Sequence, residues 1–282
     1  MVTSSESRIS DLCAQWRAEG VSVGFVPTMG ALHQGHLRLV EAAAASAERV
    51  VVSIFVNPTQ FGQGEDLDMY PRTLEKDCES VELLGASAVF TPDADVIYPR
   101  YFSTGVSVTG ISAGLCGAFR PGHFDGVTTV CAILFGIVRP DIAVFGMKDA
   151  QQLAVIRRMV SDLRMGIEIL AVPIVREADG LAMSSRNRYL SAEERKQASL
   201  ISAGLWRAQS LFRTGERDCE LLKKEFLFWL KDAPLLKVQY VETVDPDTMS
   251  VIQQVEKRVL LVVAVYAGET RLIDNILIES EV

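Results

Sequence analysis

The chain has 282 residues, 49% of them hydrophobic and 23% charged, enough apolar surface for one large domain or two smaller ones and too much for a mainly disordered chain. Its net charge of −8 argues against general nucleic-acid binding, which needs clustered Lys and Arg, but leaves room for a local basic pocket around a small anion. The five cysteines (Cys13, Cys78, Cys116, Cys131, Cys219) are scattered with no CxxC pair, which argues against a zinc knuckle or a disulfide framework and for reduced thiols. The N-terminal residues 1–8 are polar, and the longest apolar run, residues 259–267, has the length of a strand; no membrane association is expected, and a cytoplasmic location is.

Ile9, Leu12, Cys13 and Trp16 recur at helical spacing before Gly20, a helix stop. Residues 21–26 (VSVGFV) read as a strand, followed by a glycine-containing turn and an alanine-rich helix to about residue 47. Residues 49–56 (RVVVSIFV) form a second strand with the continuous apolarity of one buried on both faces. Leu74, Cys78, Val81 and Leu84 make a helical stripe ending at Gly85, before a strand over 86–90. After an irregular stretch come a helix over 127–138, a strand over 141–145, a helix over 149–163 and a strand over 167–172. Strands alternating with helices predict a parallel sheet covered on both faces, and right-handed crossovers make it a Rossmann-like, doubly wound α/β domain. Ligands of such sheets bind beyond the carboxyl ends of the strands.

The pattern changes after about residue 173. Ser191-Ala192-Glu193-Glu194 is a capping box opening a long helix towards residue 212, and a second helix follows over 219–230. Strands over 237–244, 258–267 and 271–279 then suggest a smaller C-terminal α+β domain, with the division placed at 1–174 and 175–282.

The first turn after a strand, Pro27 to His36, contains His33-Gln34-Gly35-His36 and opens a helix, where backbone N–H groups and the helix dipole favour an anion. Gly30 permits the tight turn, and Gly35 is expected to let a phosphate approach the backbone. His33 and His36, three apart, can face one ligand; the plainer reading is a pair of capping or solvated histidines. Asn57-Pro58-Thr59-Gln60 is ordinary turn chemistry, yet two amides at the end of a strand suit a hydroxy acid. Lys148, in Gly146-Met147-Lys148-Asp149, is either a surface lysine or a point cation for a phosphate, with Gln151 and Gln152 on the next turn. Met183-Ser184-Ser185-Arg186 joins two hydroxyls to a guanidinium, or is a helix cap. Arg120-Pro121-Gly122-His123-Phe124 is a structural turn or a lid segment with a cation.

Taken together, PTMGALHQGH, SIFVNPTQF, RPGHFDGV, the GMKDAQQL segment and GLAMSSRN closely resemble the pantothenate synthetase (pantoate–β-alanine ligase) family over nearly the whole chain. Met147 stands where that family usually has Glu, so mainly backbone contact is expected there. The resemblance implies an H-x-G-H nucleotidyltransferase-type fold, with residues 1–174 binding nucleotide and pantoate and residues 175–282 forming a lid domain. It implies ATP-dependent condensation of (R)-pantoate with β-alanine through a pantoyl adenylate, with Mg²⁺ on the triphosphate and a homodimer built through the N-terminal domain.

By the same resemblance, ATP would contact Met29, Gly30, Ala31, Leu32, His33, Gln34, Gly35 and His36, then Gly146, Met147, Lys148, Asp149 and Val175, then Met183, Ser184, Ser185 and Arg186. His36, His33 and Lys148 would be catalytic; His36 matches the residue usually assigned as proton donor, and is expected here to stabilise phosphate charge more than to act as an obligatory acid. Gln60 and Gln152, with Asn57 nearby, would bind pantoate, and Gln60 would border the β-alanine site. Residues 61–70 are the candidate gate that keeps water from the adenylate, and Arg120 is a second closing element. Metal ligands are not readable; Asp77 and Asp149 are the candidates. A nucleotidyltransferase joining AMP to a phosphate ester shares the first motif but gives no reason for residues 57–60 or for Gln151 and Gln152. A regulator that has lost catalysis is disfavoured because His33, His36, Lys148 and Arg186 are all present.

Overall fold

The computed structural model describes residues 1–62 and 64–279. Its first sheet takes β1 (Val2–Thr3), β2 (Val23–Thr28), β3 (Arg49–Ile54), β4 (Ala88–Phe90), β5 (Ile142–Gly146) and β6 (Glu168–Val172) in the spatial order β1-β4-β3-β2-β5-β6. Every pairing is parallel. The order reverses between β2 and β5, so the crevice beyond their carboxyl ends is the topological switch point of a doubly wound sheet. Helices α1 (Glu6–Ala18), α2 (Gln34–Ser46), α3 (Leu74–Leu83), α4 (Ala94–Ile97), α5 (Cys116–Phe119), α6 (His123–Val138) and α7 (Ala150–Asp162) connect the strands.

Strand alternation splits the core in two. Phe25, Val51, Phe90, Ala143 and Phe145 pack with α1, α6 and α7, while Val26, Val50, Val52 and Val144 pack with α2 and α3. This is why residues 49–54 are apolar at successive positions: both faces are covered.

In the C-terminal part, α8 (Ala192–Arg213) and α9 (Cys219–Leu230) cover an antiparallel sheet of β7 (Leu236–Val244), β8 (Arg258–Ala267) and β9 (Thr270–Glu279). The expected capping box opens α8: Ser191 Oγ accepts from the Glu194 amide and the Glu194 carboxylate from that of Ser191. Val259, Leu261, Val263 and Val265 of β8 face the α8–α9 pair. Leu260 and Val262, on the opposite face, pack with Ala154 of α7. The second sheet is therefore buried on both sides, and it rests on the helix that follows the Lys148 turn.

Most expected elements are present, with shifted ends. The strand expected over 21–26 runs on through Pro27 to Thr28, paired to β3 throughout. The helix expected from 127 starts at His123, after Gly122 in a left-handed conformation. The edge strand β1 is a miss: two residues are too short to show a period, yet Val2 and Thr3 pair with Val89 and Phe90. All five cysteines are free. Among the described residues no helix is long and apolar enough to cross a membrane.

Candidate active site

The loops after β2, β3 and β5 converge at the switch point. His33 is the N-cap of α2, and its Nδ1 accepts the Gly35 amide at 3.1 Å; His36 Nδ1 accepts the His33 amide at 3.4 Å. The rings lie 4.1 Å apart. The capping reading is thus what this geometry shows. With each Nδ1 accepting, a neutral imidazole carries its proton on Nε2, which leaves one N–H donor per ring. Burial pushes His33 down to about 3, helped by the charges of His36, Lys148 and Arg188 and opposed by Asp149. Burial likewise takes His36 down to about 4, against Asp149 and with Lys148. Both rings are neutral near pH 7.

Two expectations for this turn are corrected. A Cβ on Gly35 would stand 2.8 Å from His33 Cε1, so glycine is required there to seat the His33 ring over the backbone. Most of the turn's amides, moreover, are spent within the protein. Gly30 N–H goes to Thr28 Oγ1, and the Ala31 and Leu32 amides donate to the Asp77 carboxylate at 2.8 and 2.9 Å. Thr73 Oγ1 adds a third donor to Asp77, which is 2% exposed. Asp77 is therefore the buried anchor of the turn, and its candidacy as a metal ligand is withdrawn: three protein donors occupy its oxygens.

After β3, Asn57 is 1% exposed. Its Nδ2 donates to Gly126 O and Gln60 Oε1, both at 3.1 Å, while its Oδ1 accepts from Thr59 and Tyr98. The expected contact of Asn57 with the acid becomes a supporting one, since the side chain has no donor left. Gly126 allows this packing, because a Cβ there would meet Thr59 O at 2.5 Å. Gln60 in turn donates Nε2–H to Met29 Sδ at 2.9 Å on the floor of the cleft.

After β5, the turn Met147–Asp149 presents Lys148, which has no ion-pair partner among the described residues. The two following glutamines part company. Gln151 is buried and saturated, donating to Ile111 O and Gly114 O and accepting the Cys116 amide. Gln152 lines the cleft, and among the described residues its side-chain amide has no hydrogen-bond partner. Asp149 is exposed and borders the same cleft.

The opposite wall comes from residues 183–186. Ser184 caps the short helix Ser185–Tyr189 by accepting the Arg186 amide, and Met183 lies beside Gly35. The Arg186 guanidinium is held by Asp66 at 2.8 and 3.2 Å. Arg120 makes a two-pronged pair with Glu65 at 2.6 Å and donates to His123 Nε2 at 3.0 Å. His123 passes its Nδ1–H to Gln60 O at 2.8 Å, and burial and the Arg120 charge push its pKa down to about 4. Tyr70, 6% exposed, ends the 61–70 segment and packs edge-on against Phe61, with ring centroids 5.9 Å apart. Gln63 of that segment lies outside the described residues.

Several expected contacts stand back from the cleft in this arrangement. Gly30 and Ala31 are buried beneath the first turn, Gln34 is exposed on it, and Met147 packs into the first core. Val175 offers its carbonyl to the Met183 amide. Among the described residues no three His, Cys, Asp or Glu side chains gather as a metal-binding group.

The family model for pantoate–β-alanine ligase matches residues 1–277. The chain belongs to that family. Near relatives agree: this pantoate–β-alanine ligase family member is 50% identical to the pantothenate synthetase of Thermoanaerobacter pseudethanolicus over 98% of each chain. It is 51% identical to that of Fervidobacterium nodosum over 92% of each. The fold superposes on the pantothenate synthetase of Thermus thermophilus with a TM-score of 0.93, at 42% identity and 98% coverage of both chains. A pantoate–β-alanine ligase from Francisella tularensis, solved with a β,γ-ATP ligand and β-alanine, gives a TM-score of 0.78 at 32% identity, covering 98% of this chain and 97% of that one.

What reading the sequence missed in this ligase are the partners of its motifs. Glu65, Asp66 and Asn275 are singled out by no spacing. Asp77 carries a weak signal in retrospect: it is an acidic residue one turn before Val81 on the inward face of α3.

Proposed function

We propose that the chain uses ATP to condense (R)-pantoate with β-alanine, giving pantothenate, AMP and pyrophosphate through pantoyl adenylate. The observation that carries it is the convergence, beyond the carboxyl ends of β2 and β5, of an unpaired Lys148, the neutral His33–His36 pair and the free amide of Gln152. A cation and N–H donors suit a triphosphate; a free amide beside an apolar floor suits a small hydroxy acid.

In the first step a pantoate carboxylate oxygen attacks the α-phosphorus and the bond to the β-phosphate bridging oxygen breaks, releasing pyrophosphate. In the second, the β-alanine amine attacks the acyl carbon, loses a proton, and expels AMP. His33 and His36 would donate Nε2–H to phosphate oxygens and Lys148 would meet the charge that builds on them, so the work is positioning and electrostatics. Ser184, Ser185 and Arg186 would grip the phosphates from the other wall. Gly146 to Asp149 would hold the adenosine, largely through backbone groups, and Val175 would contribute only its N–H, since its carbonyl is taken by Met183. Gln60 and Gln152 would orient pantoate, Asn57 would hold Gln60, and Gln60 would border the amine.

Mg²⁺ fits as an ion carried by the triphosphate, with Asp149 the carboxylate free to help hold it, and it would neutralise phosphate charge. Residues 61–70 serve as the gate, and residues 175–282 as the lid domain set against residues 1–174. A cytoplasmic location and a homodimer through the N-terminal part go with this reading; exposed Tyr101 and Phe102 support the latter, and sedimentation tests it.

The decisive assay is exchange of labelled pyrophosphate into ATP. Exchange that requires pantoate, followed by pantothenate and AMP on adding β-alanine, is expected. Absence of exchange with pantoate or any other hydroxy acid refutes the proposal.

A further inference from the structure

We infer that Asn275, on the last strand of the second sheet, is a positioning residue for adenylation, acting through the turn that carries Lys148. The inference rests on the role proposed above for that lysine. Asn275 Nδ2 donates to two consecutive carbonyls, Met147 O at 2.9 Å and Lys148 O at 3.0 Å. The turn has no side-chain cap of its own at Gly146, so this one amide pins its carbonyls from outside. A primary amide is the neutral group that offers two N–H donors from one atom on so short a stem.

Asn275 is itself immobilised. It is 4% exposed, its backbone N–H donates to Asp274 Oδ1 at 2.7 Å, and its backbone carbonyl accepts from Arg176 Nη2 at 3.4 Å. Asp274, 3% exposed, forms a two-pronged pair with Arg176 at 2.6 and 3.0 Å. Arg176 also donates to Gly180 O at 3.1 Å, inside the bend that leads to Ser184 and Arg186. One rigid unit on β9 therefore touches both the Lys148 turn and the lead-in to the opposing wall. Lys148 reaches the phosphates on a long stem, so the placement of its backbone decides where the charge arrives, and displacements of about 1 Å can cost about 100-fold.

The test is a double-mutant cycle on the full chain, read as pantoate-dependent pyrophosphate exchange. Asn275→Asp keeps the shape but turns an oxygen towards two carbonyl oxygens; Asn275→Ala removes the group. Each is expected to lower kcat by about 10- to 100-fold with the pantoate KM within about threefold of the parent. In a Lys148→Ala background the same substitution should cost less than about threefold, because the group it positions is gone. The near-isosteric Asp variant carries the cycle should the Ala variant fail to fold. An undiminished loss in the Lys148→Ala background, or a parental kcat in Asn275→Asp, overturns the inference alone. A near-parental rate in Lys148→Ala by itself overturns the role given to the lysine, and the inference with it.

Discussion

Asp66 and Arg186 lie 120 residues apart in sequence and meet through two hydrogen bonds of 2.8 and 3.2 Å. Glu65 does the same for Arg120 at 2.6 Å. Two adjacent acidic residues of the 61–70 segment thus occupy the two guanidiniums that an anionic substrate would use. In the proposed reaction a phosphate at Arg186 would compete with Asp66 for the Nε and Nη2 donors of one cation.

Asp66→Asn should therefore bind ATP more tightly. A half-buried pair of this kind is worth about 1 kcal/mol, which corresponds to about fivefold in affinity. Calorimetric titration of the variant with ATP measures it. Weaker binding would mean that Asp66 builds the nucleotide site instead of blocking it.

Gln151 and Gln152 are neighbours with opposite expected phenotypes. Gln151→Ala strands Ile111 O, Gly114 O and the Cys116 amide in the interior, so unfolding should become easier by about 1–3 kcal/mol. Its pantoate KM should change little. Gln152→Ala should leave the denaturation midpoint in place and raise the pantoate KM about tenfold or more, as loss of a substrate-facing amide does. Urea unfolding and steady-state kinetics on both variants separate the two, and the reverse pattern would exchange their roles.

Apart from the two-residue β1, the elements of the first sheet were legible because each lies in a run long enough to show a pattern, and the His33–His36 turn because it follows a strand and opens a helix. Side-chain partners were not legible. Asp77 reads as a metal-ligand candidate, and its real partners show only when the fold brings the Ala31 and Leu32 amides to it, 46 and 45 residues away. Asn275 sits in a strand of mixed polar and apolar residues with nothing to distinguish it from a surface amide, and its targets are 128 and 127 residues off. Contacts of that separation depend on how distant elements pack in three dimensions, which no local pattern encodes.

Stability should fall as the pH drops below neutrality. His33, His36 and His123 are lowered from the ordinary 6.5 to about 3, about 4 and about 4. The unfolded chain therefore takes up protons near pH 6.5 that the folded chain refuses until near pH 4 or below. Each such proton costs the folded state about 1.4 kcal/mol per pH unit across that window. Glu65 and Glu177, whose carboxyls lie below their ordinary value because of Arg120 and Arg195, add their loss only below about pH 4.5. Urea midpoints at pH 7.0 and 5.5 isolate the histidines. An equal or higher midpoint at pH 5.5 would show that these rings are protonated in the folded protein.

His36→Ala and Lys148→Ala should each slow adenylation by about 100-fold or more, the usual cost of removing a contact made to developing charge. The two losses should differ in kind. In the proposed mechanism Lys148 would supply a full charge, whereas His36, neutral with its proton on Nε2, would supply only a hydrogen bond. His36→Asn, which keeps an N–H donor, should recover part of what His36→Ala loses. The parent's adenylation rate should also stay level as the pH falls from 7 to 5.5, since no imidazolium is being formed. A rate that climbed with a midpoint near 6 and lost that climb in His36→Asn would make His36 a true acid, and near-parental rates in either alanine variant would remove that residue from the mechanism.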